Sequence, residues 1–354
     1  MIDFLSLSTA VPEHCVTAAE TKSFLARLLP ADLASRFDRL VDGSGNSSRF
    51  GVVPLEELAT LQTLEARNRA YARYAVPLAE SAARRAIDRA RVAPESVTAL
   101  ICASSTGYVM PTLDAYLMNR LGLRPSCRRV PLTQMGCGGG LSALALAAQL
   151  LRGGEGGNAL IVTVELPSLC LQLAEPSVND LLAATQFGDG AAAAVLSSWD
   201  GSGPEVVATR SVLLSDTVEL DGILLTSTGL RPVPRRGFPR LVRNHVPAAV
   251  AGFLRTHGLE REQVSFTAVH GRSPQVMHAM KESLQLSERD LVAPRRVWER
   301  YGNMLSSTVF FVLDELRQTD PPAQGAAGLM LAFGAGVSCE MVLLRAGGWL
   351  SAEV

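Results

Sequence analysis

Thr133-Gln134-Met135-Gly136-Cys137-Gly138-Gly139-Gly140 is the stretch that decides the fold. One cysteine follows a short apolar strand, Val130–Leu132, and opens a nearly all-apolar helix read over Gly138–Leu151. Three glycines come directly after it, and glycine lets a backbone bend sharply and approach a substrate closely. A helix N-terminus adds unpaired N–H groups and the positive end of a dipole. Both favour thiolate over thiol, which makes Cys137 a candidate nucleophile. Taken alone, the segment reads equally well as a small apolar residue at a glycine-rich turn.

A helix that is apolar all round belongs in the middle of a large protein. This one stops at the turn Gly153–Gly157, and its surroundings alternate strands with helices. Val97–Ser104, Asn158–Glu165 and Gly190–Ser197 are continuous apolar runs, suited to burial on both faces. Val76–Arg91 spaces its apolar residues at a helical period, with Arg and Glu between them. The second half repeats this logic. Pro247–Thr256 reads as a helix and Ser265–Val269 as a strand. Pro274–Leu284 reads as a helix with Ser273 as N-cap and Pro274 at its first position. Met304–Arg317 is a further apolar helix, and strands Gly328–Phe333 and Ser338–Leu344 flank a Gly-Ala-Gly turn. Trp199–Glu205 (WDGSGPE) is the expected boundary, dividing the chain into 1–203 and 204–354. Mixed α/β architecture with helices buried between sheets follows.

Composition bounds the function. The 354 residues are 47% apolar and 19% charged, with a formal net charge of −1. Such a chain has a large interior and no field that would draw it to nucleic acid or an anionic membrane. The start, MIDFLSLSTAVPEH, lacks a basic segment followed by a long apolar run, so a cytoplasmic location is expected. The six cysteines are scattered without a CxxC pair, which argues against zinc and redox motifs. Most of the cysteines should be free thiols filling core space.

Two further residues stand out. His270 closes the strand Ser265–Val269 just before Gly271, a place from which catalytic groups often project. A histidine there also serves simply to make a structural hydrogen bond. The other four histidines have polar neighbours in helical or loop contexts. Asn303, in Tyr301-Gly-Asn-Met304, precedes an apolar helix and reads as its N-cap. It could also serve a pocket only if its side chain turned away from the helix.

Together these segments resemble the type III polyketide synthases, the chalcone-synthase-like family. The similarity runs through Ser8-Thr-Ala-Val-Pro-Glu13, Ser104-Ser-Thr-Gly-Tyr-Val-Met-Pro111 and Leu121-Gly-Leu-Arg-Pro125. It continues through Gln134-Met-Gly-Cys137, Phe187-Gly-Asp-Gly-Ala191, His270, Tyr301-Gly-Asn-Met304 with Leu313-Asp-Glu315, and Phe333-Gly-Ala-Gly336. The resemblance implies a five-layered αβαβα thiolase fold of two topologically similar halves, and a homodimer. It implies a Cys-His-Asn triad carried by Cys137, His270 and Asn303. Cys137 would take the acyl group as a thioester and form an ion pair with His270. His270 and Asn303 would stabilise the extender's enolate for a Claisen condensation that needs no metal or organic cofactor. It also implies a pocket lined by Ser105, Met110, Cys170, Phe187, Pro232, Phe333 and Gly334, with Met110 reaching into the partner subunit's pocket.

The departures from the family point to a specialised member acting on larger acyl chains. Pro232 falls where a second gatekeeper phenylalanine is usual, so the pocket mouth should be wider. The basic cluster for CoA phosphates should fall near Asp42–Phe50, where only Arg49 is basic. The run after the histidine is Gly-Arg-Ser rather than Pro-Gly-Gly, and Ala335 replaces a proline. These changes favour carrier-protein-bound substrates over free acyl-CoA. The leading expectation is therefore a stand-alone ketosynthase resembling those of myxopyronin-type antibiotics, joining two carrier-bound β-ketoacyl chains into an α-pyrone. The alternative is an ordinary iterative synthase using malonyl-CoA to make resorcinols, pyrones or a naphthalene. A ketoacyl synthase III fits less well, because His270-Gly-Arg-Ser differs from its His-Gln-Ala-Asn-like run. A thiolase would carry a second catalytic cysteine before the C-terminal glycine turn, and Cys339 lies beyond it. A non-catalytic partner subunit would usually have lost the nucleophile.

Overall fold

In the computed structural model, residues 1–154, 156–172, 176–199, 203–232 and 237–348 are described. The boundary read at Trp199–Glu205 falls partly on residues 200–202, and the turn Gly153–Gly157 contains residue 155. These four lie outside the described residues. The chain opens with β1 (Asp3–Ala10), β2 (His14–Thr17), α1 (Ala18–Leu28), α2 (Ala31–Asp42), β3 (Ser48–Gly51), α3 (Leu55–Thr60) and α4 (Leu64–Ala90). Then come β4 (Val97–Ser104), α5 (Leu113–Leu121), β5 (Arg128–Thr133), α6 (Gly139–Gly153), β6 (Asn158–Glu165), α7 (Val178–Gln186) and β7 (Gly190–Ser197). The second half holds β8 (Glu205–Leu213), β9 (Ile223–Thr226), β10 (Gly229–Pro232), α8 (Phe238–Arg255), β11 (Val264–Val269) and α9 (Pro274–Leu284). It ends with α10 (Val292–Tyr301), α11 (Thr308–Thr319), β12 (Ala327–Gly334) and β13 (Ser338–Arg345).

Each half contains the same strand pattern. In the first, β4 runs parallel to β6, β6 antiparallel to β7, and β7 antiparallel to β1. In the second, β11 runs parallel to β12, β12 antiparallel to β13, and β13 antiparallel to β8. The first half adds β5 alongside β4 as an edge strand. A single residue pair, Asp3 with Glu205, links β1 to β8 and joins the two into one continuous sheet order.

Side-chain alternation along the strands builds the layers. Leu100, Cys102, Leu160, Val162, Ala193 and Val195 pack outward against α4. Their neighbours Ile101, Ala103, Ile161, Ala192 and Ala194 pack inward against α6 and α11. In the second half Met330, Ala332, Val342 and Leu344 meet the same central helices. Leu329, Leu331, Met341 and Leu343 pack outward against α8 and α9. Helix, sheet, two central helices, sheet, helices is the five-layered αβαβα thiolase arrangement. The apolar circumference of α6 follows from this, since both sheets cover it.

Glycine sets how closely the central helices approach. A Cβ on Gly140 would fall 2.3 Å from the Ser306 carbonyl oxygen. No side chain fits there without moving backbone.

Several boundaries differ from the sequence reading. The helix read over Val76–Arg91 begins at Leu64, with Thr63 as N-cap, and runs through Pro77. The helix read from Pro247 begins at Phe238 and carries Pro247 in its interior. A proline costs an interior hydrogen bond, and apolar burial offsets it, with Val242 and Val246 fully buried on α8. The helix read over Met304–Arg317 is a short turn at Leu305–Ser307 followed by α11. Cys137 lies in a separate 3₁₀ turn, Gly136–Gly138, just before α6 rather than on it.

Among the described residues, no helix is long and apolar enough to cross a membrane. None of their His, Cys, Asp and Glu side chains group in threes as a metal site would require. Cys15 is exposed, and the other five cysteines are buried free thiols.

Candidate active site

The turn that carries Cys137 is clamped from both halves. Gln134 and Gly136 both take φ near +57°, which reverses the chain after β5. The Gly136 N–H donates to Ser105 Oγ at 3.0 Å. From the second half, the Ala335 N–H donates to the Met135 carbonyl at 3.2 Å. A Cβ on Gly138 would meet the Gly334 backbone at 2.8 Å, so the two glycine loops interlock.

A buried carboxyl stands behind this turn. Glu165, at the end of β6, accepts from the Ser105 N–H and Thr106 Oγ1 at 3.0 Å each, and from Ser306 Oγ at 2.6 Å. Burial pushes it up to about 7 against these donors.

The second half brings Asn303 to Cys137, and the His270 ring lies behind Asn303 and does not line the cavity that opens over this centre. The His270 N–H donates to Leu331 O at 2.8 Å, extending β11 pairing by one residue. Its ring is fully buried, and neither ring nitrogen makes a hydrogen bond of full geometry. Asn303 is pinned by its backbone to the segment before Phe187. Its N–H donates to Gln186 O at 2.7 Å, and its carbonyl accepts from the Gly188 N–H at 3.2 Å. Its Oδ1 lies 3.8 Å and its Nδ2 3.9 Å from Cys137 Sγ. Oδ1 also accepts the Leu305 N–H at 2.9 Å. One side chain therefore caps the following turn and faces the cysteine.

Electrostatics oppose the expected ion pair in part. Burial pushes the Cys137 thiol up to about 12, although Arg272 and the Asn303 hydrogen bond pull it down. Burial, followed by the Arg272 charge, pushes His270 down to about 4, while the Asn303 side chain and nearby backbone favour the charged ring. Taken singly, both groups are neutral at pH 7. At the thiol, burial outweighs the Arg272 charge and the Asn303 hydrogen bond, so a thiolate–imidazolium pair would draw on the attraction between its own members.

A cavity of about 730 Å³ opens over this centre. That lies within the roughly 300–1,000 Å³ usual for small-molecule sites. Cys137 and Asn303 line it together with Ser105, Cys170, Phe187 and Pro232. Met110, Phe333 and Gly334 do not. Met110 is 97% exposed. Phe333 is buried edge-on against Phe238, with ring centroids 5.4 Å apart. Gly334 backs Gly138 instead.

Residues 2–201 match the family model for the N-terminal domain of chalcone and stilbene synthases, and residues 205–347 match that for the C-terminal domain. The chain belongs to this family, the type III polyketide synthases. It is a condensing acyltransferase. It is 35% identical to the 1,3,6,8-tetrahydroxynaphthalene synthase of Streptomyces peucetius, across 96% of this chain and 92% of that one. An alpha-pyrone synthesis polyketide synthase-like protein of Mycobacterium tuberculosis is 29% identical across 95% and 89% of the two chains. The solved structure of the Streptomyces coelicolor tetrahydroxynaphthalene synthase superposes with a TM-score of 0.93 at 29% identity, covering 98% of this chain and 99% of that one.

Among the residues of the synthase's cavity wall that sequence reasoning missed are Arg36, Asp221, Phe238 and Arg272. The Gly-Arg-Ser departure after His270 was a signal for Arg272. Nothing marked Asp221, which comes from a distant loop. Arg49, the only basic residue where the family's phosphate cluster should fall, is buried, in keeping with the missing cluster read from the sequence. Its guanidinium donates to Thr21 Oγ1 at 2.8 Å and to the Ala184 carbonyl. The exposed cation on the cavity lining is Arg36 on α2, with Arg39 exposed one turn further on.

Proposed function

We propose that this synthase extends a Cys137-bound acyl chain iteratively with malonyl units delivered as CoA thioesters. The observation that carries this reading is one cavity bounded by Cys137, Asn303, Phe187 and the exposed Arg36. Cys137 comes from the half 1–203, and His270 and Asn303 from the half 204–354. The Cys137 sulfur attacks the starter thioester, and CoA leaves as its thiol. Malonyl-CoA then loses CO₂, and the resulting enolate oxygen takes hydrogen bonds from His270 and Asn303. The enolate carbon attacks the Cys137 thioester, the C–S bond breaks, and the chain leaves on CoA two carbons longer. The Asn303 side chain and nearby backbone favour the charged His270 ring, which supports its role as a donor.

A second reading joins two carrier-bound β-ketoacyl chains into an α-pyrone. Pro232 on the cavity lining favours it by leaving the mouth wider than a phenylalanine would. The first reading is preferred because Arg36 and Arg39 supply the cations that the segment Asp42–Phe50 lacks. A homodimer fits both readings. Edge strand β5 is largely exposed, and the exposed Met110 would be covered by a second copy.

Intact-mass measurement with acyl-CoA, malonyl-CoA and β-ketoacyl carrier donors separates the readings. CO₂ release and chain-extended product with malonyl-CoA are expected, the acyl-enzyme and the product being lost in Cys137→Ala. Pyrone formation from carrier donors without malonyl-CoA would transfer the assignment to the second reading. If no donor loads Cys137, both fail.

A further inference from the structure

Arg272 and Asp221 form an ion pair on the cavity wall that the condensation does not use. The side chains are 16% and 15% exposed. Arg272 Nη1 donates to Asp221 Oδ2 at 2.8 Å, and Nη2 donates to Oδ1 at 2.5 Å. A guanidinium has five N–H donors, so about three remain free. Its plane lies over Phe238, 4.2 Å from the ring centroid. The Asp221 carbonyl accepts the Gly336 N–H at 3.1 Å, tying the pair to the loop that clamps the Cys137 turn.

Arg272 also sits at φ +53°, in the left-handed region. That conformation is unfavourable for a residue with a Cβ. Strain of this kind persists where its surroundings over-determine it, commonly at functional sites. Arg272 follows His270 by two positions and lies within electrostatic reach of Cys137.

The chemistry of the pair narrows its ligand. A saturated acyl chain gives the spare donors no acceptor, and it leaves the cost of desolvating the pair unrepaid. A free cation would favour a carboxylate, but Asp221 neutralises this one. A ketone oxygen suits what remains: a strong, fixed donor set with no net charge. The planar fork also suits two oxygens in a 1,3 relationship, as in a poly-β-ketone.

We propose that the Arg272–Asp221 pair recognises the β-keto oxygens of the growing chain and selects β-ketoacyl over saturated acyl thioesters. This inference rests on the reading of Cys137 as the acyl carrier.

The test uses the whole enzyme and two matched CoA thioesters, octanoyl and β-ketooctanoyl. The rate of Cys137 acylation is followed by intact mass. The native enzyme should prefer the β-keto donor by about tenfold or more, the equivalent of one good hydrogen bond. Arg272→Met should bring the ratio to within about threefold of unity, and Arg272→Lys should fall between. A merely structural role would slow both donors alike and leave the ratio unchanged. Should Arg272→Met fail to fold, the double variant Arg272→Met with Asp221→Leu removes the uncompensated charge and takes its place. A native ratio near unity, or a ratio that survives in the variants, overturns the proposal. Loading without preference sinks the pair alone, whereas no loading of native Cys137 sinks the acyl-carrier reading as well.

Discussion

The carboxamide of Asn303 serves two neighbours at once. Oδ1 accepts the Leu305 N–H at 2.9 Å, while the amide nitrogen lies 3.9 Å from Cys137 Sγ. The first contact orients the second. The Leu305 N–H fixes Oδ1, which can also accept the Cys137 thiol at 3.8 Å, and this orientation points Nδ2 toward the sulfur and any carbonyl beside it. The capping role read from the sequence and the pocket role read from the family resemblance are compatible, because the cap holds the donor in place.

Asn303→Ala should therefore show two separable losses. Removing the cap should destabilise the fold by about 1 kcal/mol, seen as a lower melting temperature. Losing the enolate donor should cut condensation with malonyl-CoA by about 10²-fold or more. Acylation of Cys137 should fall far less. Equal losses in acylation and condensation would count against Asn303 as an enolate donor.

The pH behaviour of Cys137 separates burial from pairing. Burial pushes the thiol up to about 12 and the imidazole down to about 4, so partnership between them must supply reactivity near neutrality. With the imidazole removed in His270→Gln, the thiol keeps only Arg272 and Asn303 as stabilisers. Peptide-resolved alkylation at Cys137 should then be slow at pH 7 and still rising at about pH 10. The native enzyme should alkylate faster at pH 7. Matching profiles for the two proteins would show that His270 does not activate the cysteine.

Glu165 makes a stability prediction with a definite sign. Its folded pKa is raised to about 7 from 4.5, chiefly by burial. The folded chain thus holds a proton that the unfolded chain has already released. Stability from this group is complete below about pH 4.5 and is lost as pH rises through about 7. Glu165→Gln cannot ionise, so its melting temperature should fall less between pH 5 and pH 8 than that of the native protein. An unchanged slope would place the buried charge elsewhere, for instance on Asp189, which is raised to about 6.

The legibility of the chain tracks burial. Val97–Ser104, Asn158–Glu165 and Gly190–Ser197 were read to the residue because both their faces are covered, which leaves uniform apolar runs between breakers. The first half of α4, Leu64–Ala75, was invisible because its charged face dilutes the apolar stripe and Pro77 resembles a start signal. Pro247 misled for the same reason. On the cavity wall, Cys137 and Asn303 were legible as candidates because each sits in a local motif. The Arg272–Asp221 pair was not, because it is a contact across 51 residues made by loop geometry.

Arg36 and Arg39 carry the last prediction. Both lie exposed on α2, one turn apart, with Arg36 lining the cavity. No ion pair with a described residue occupies either. A CoA thioester brings its phosphates to such a rim, whereas an N-acetylcysteamine thioester carries the same acyl group without them. Reversing both charges, Arg36→Glu with Arg39→Glu, should raise KM for malonyl-CoA by about tenfold at low salt. KM for the N-acetylcysteamine thioester should change by less than about twofold, and added salt should narrow the gap as screening weakens surface charges. If both donors suffer equally, the two arginines act on the fold of α2 rather than on phosphate. If neither changes, the CoA phosphates bind elsewhere and the preference for a carrier-free donor loses its physical basis.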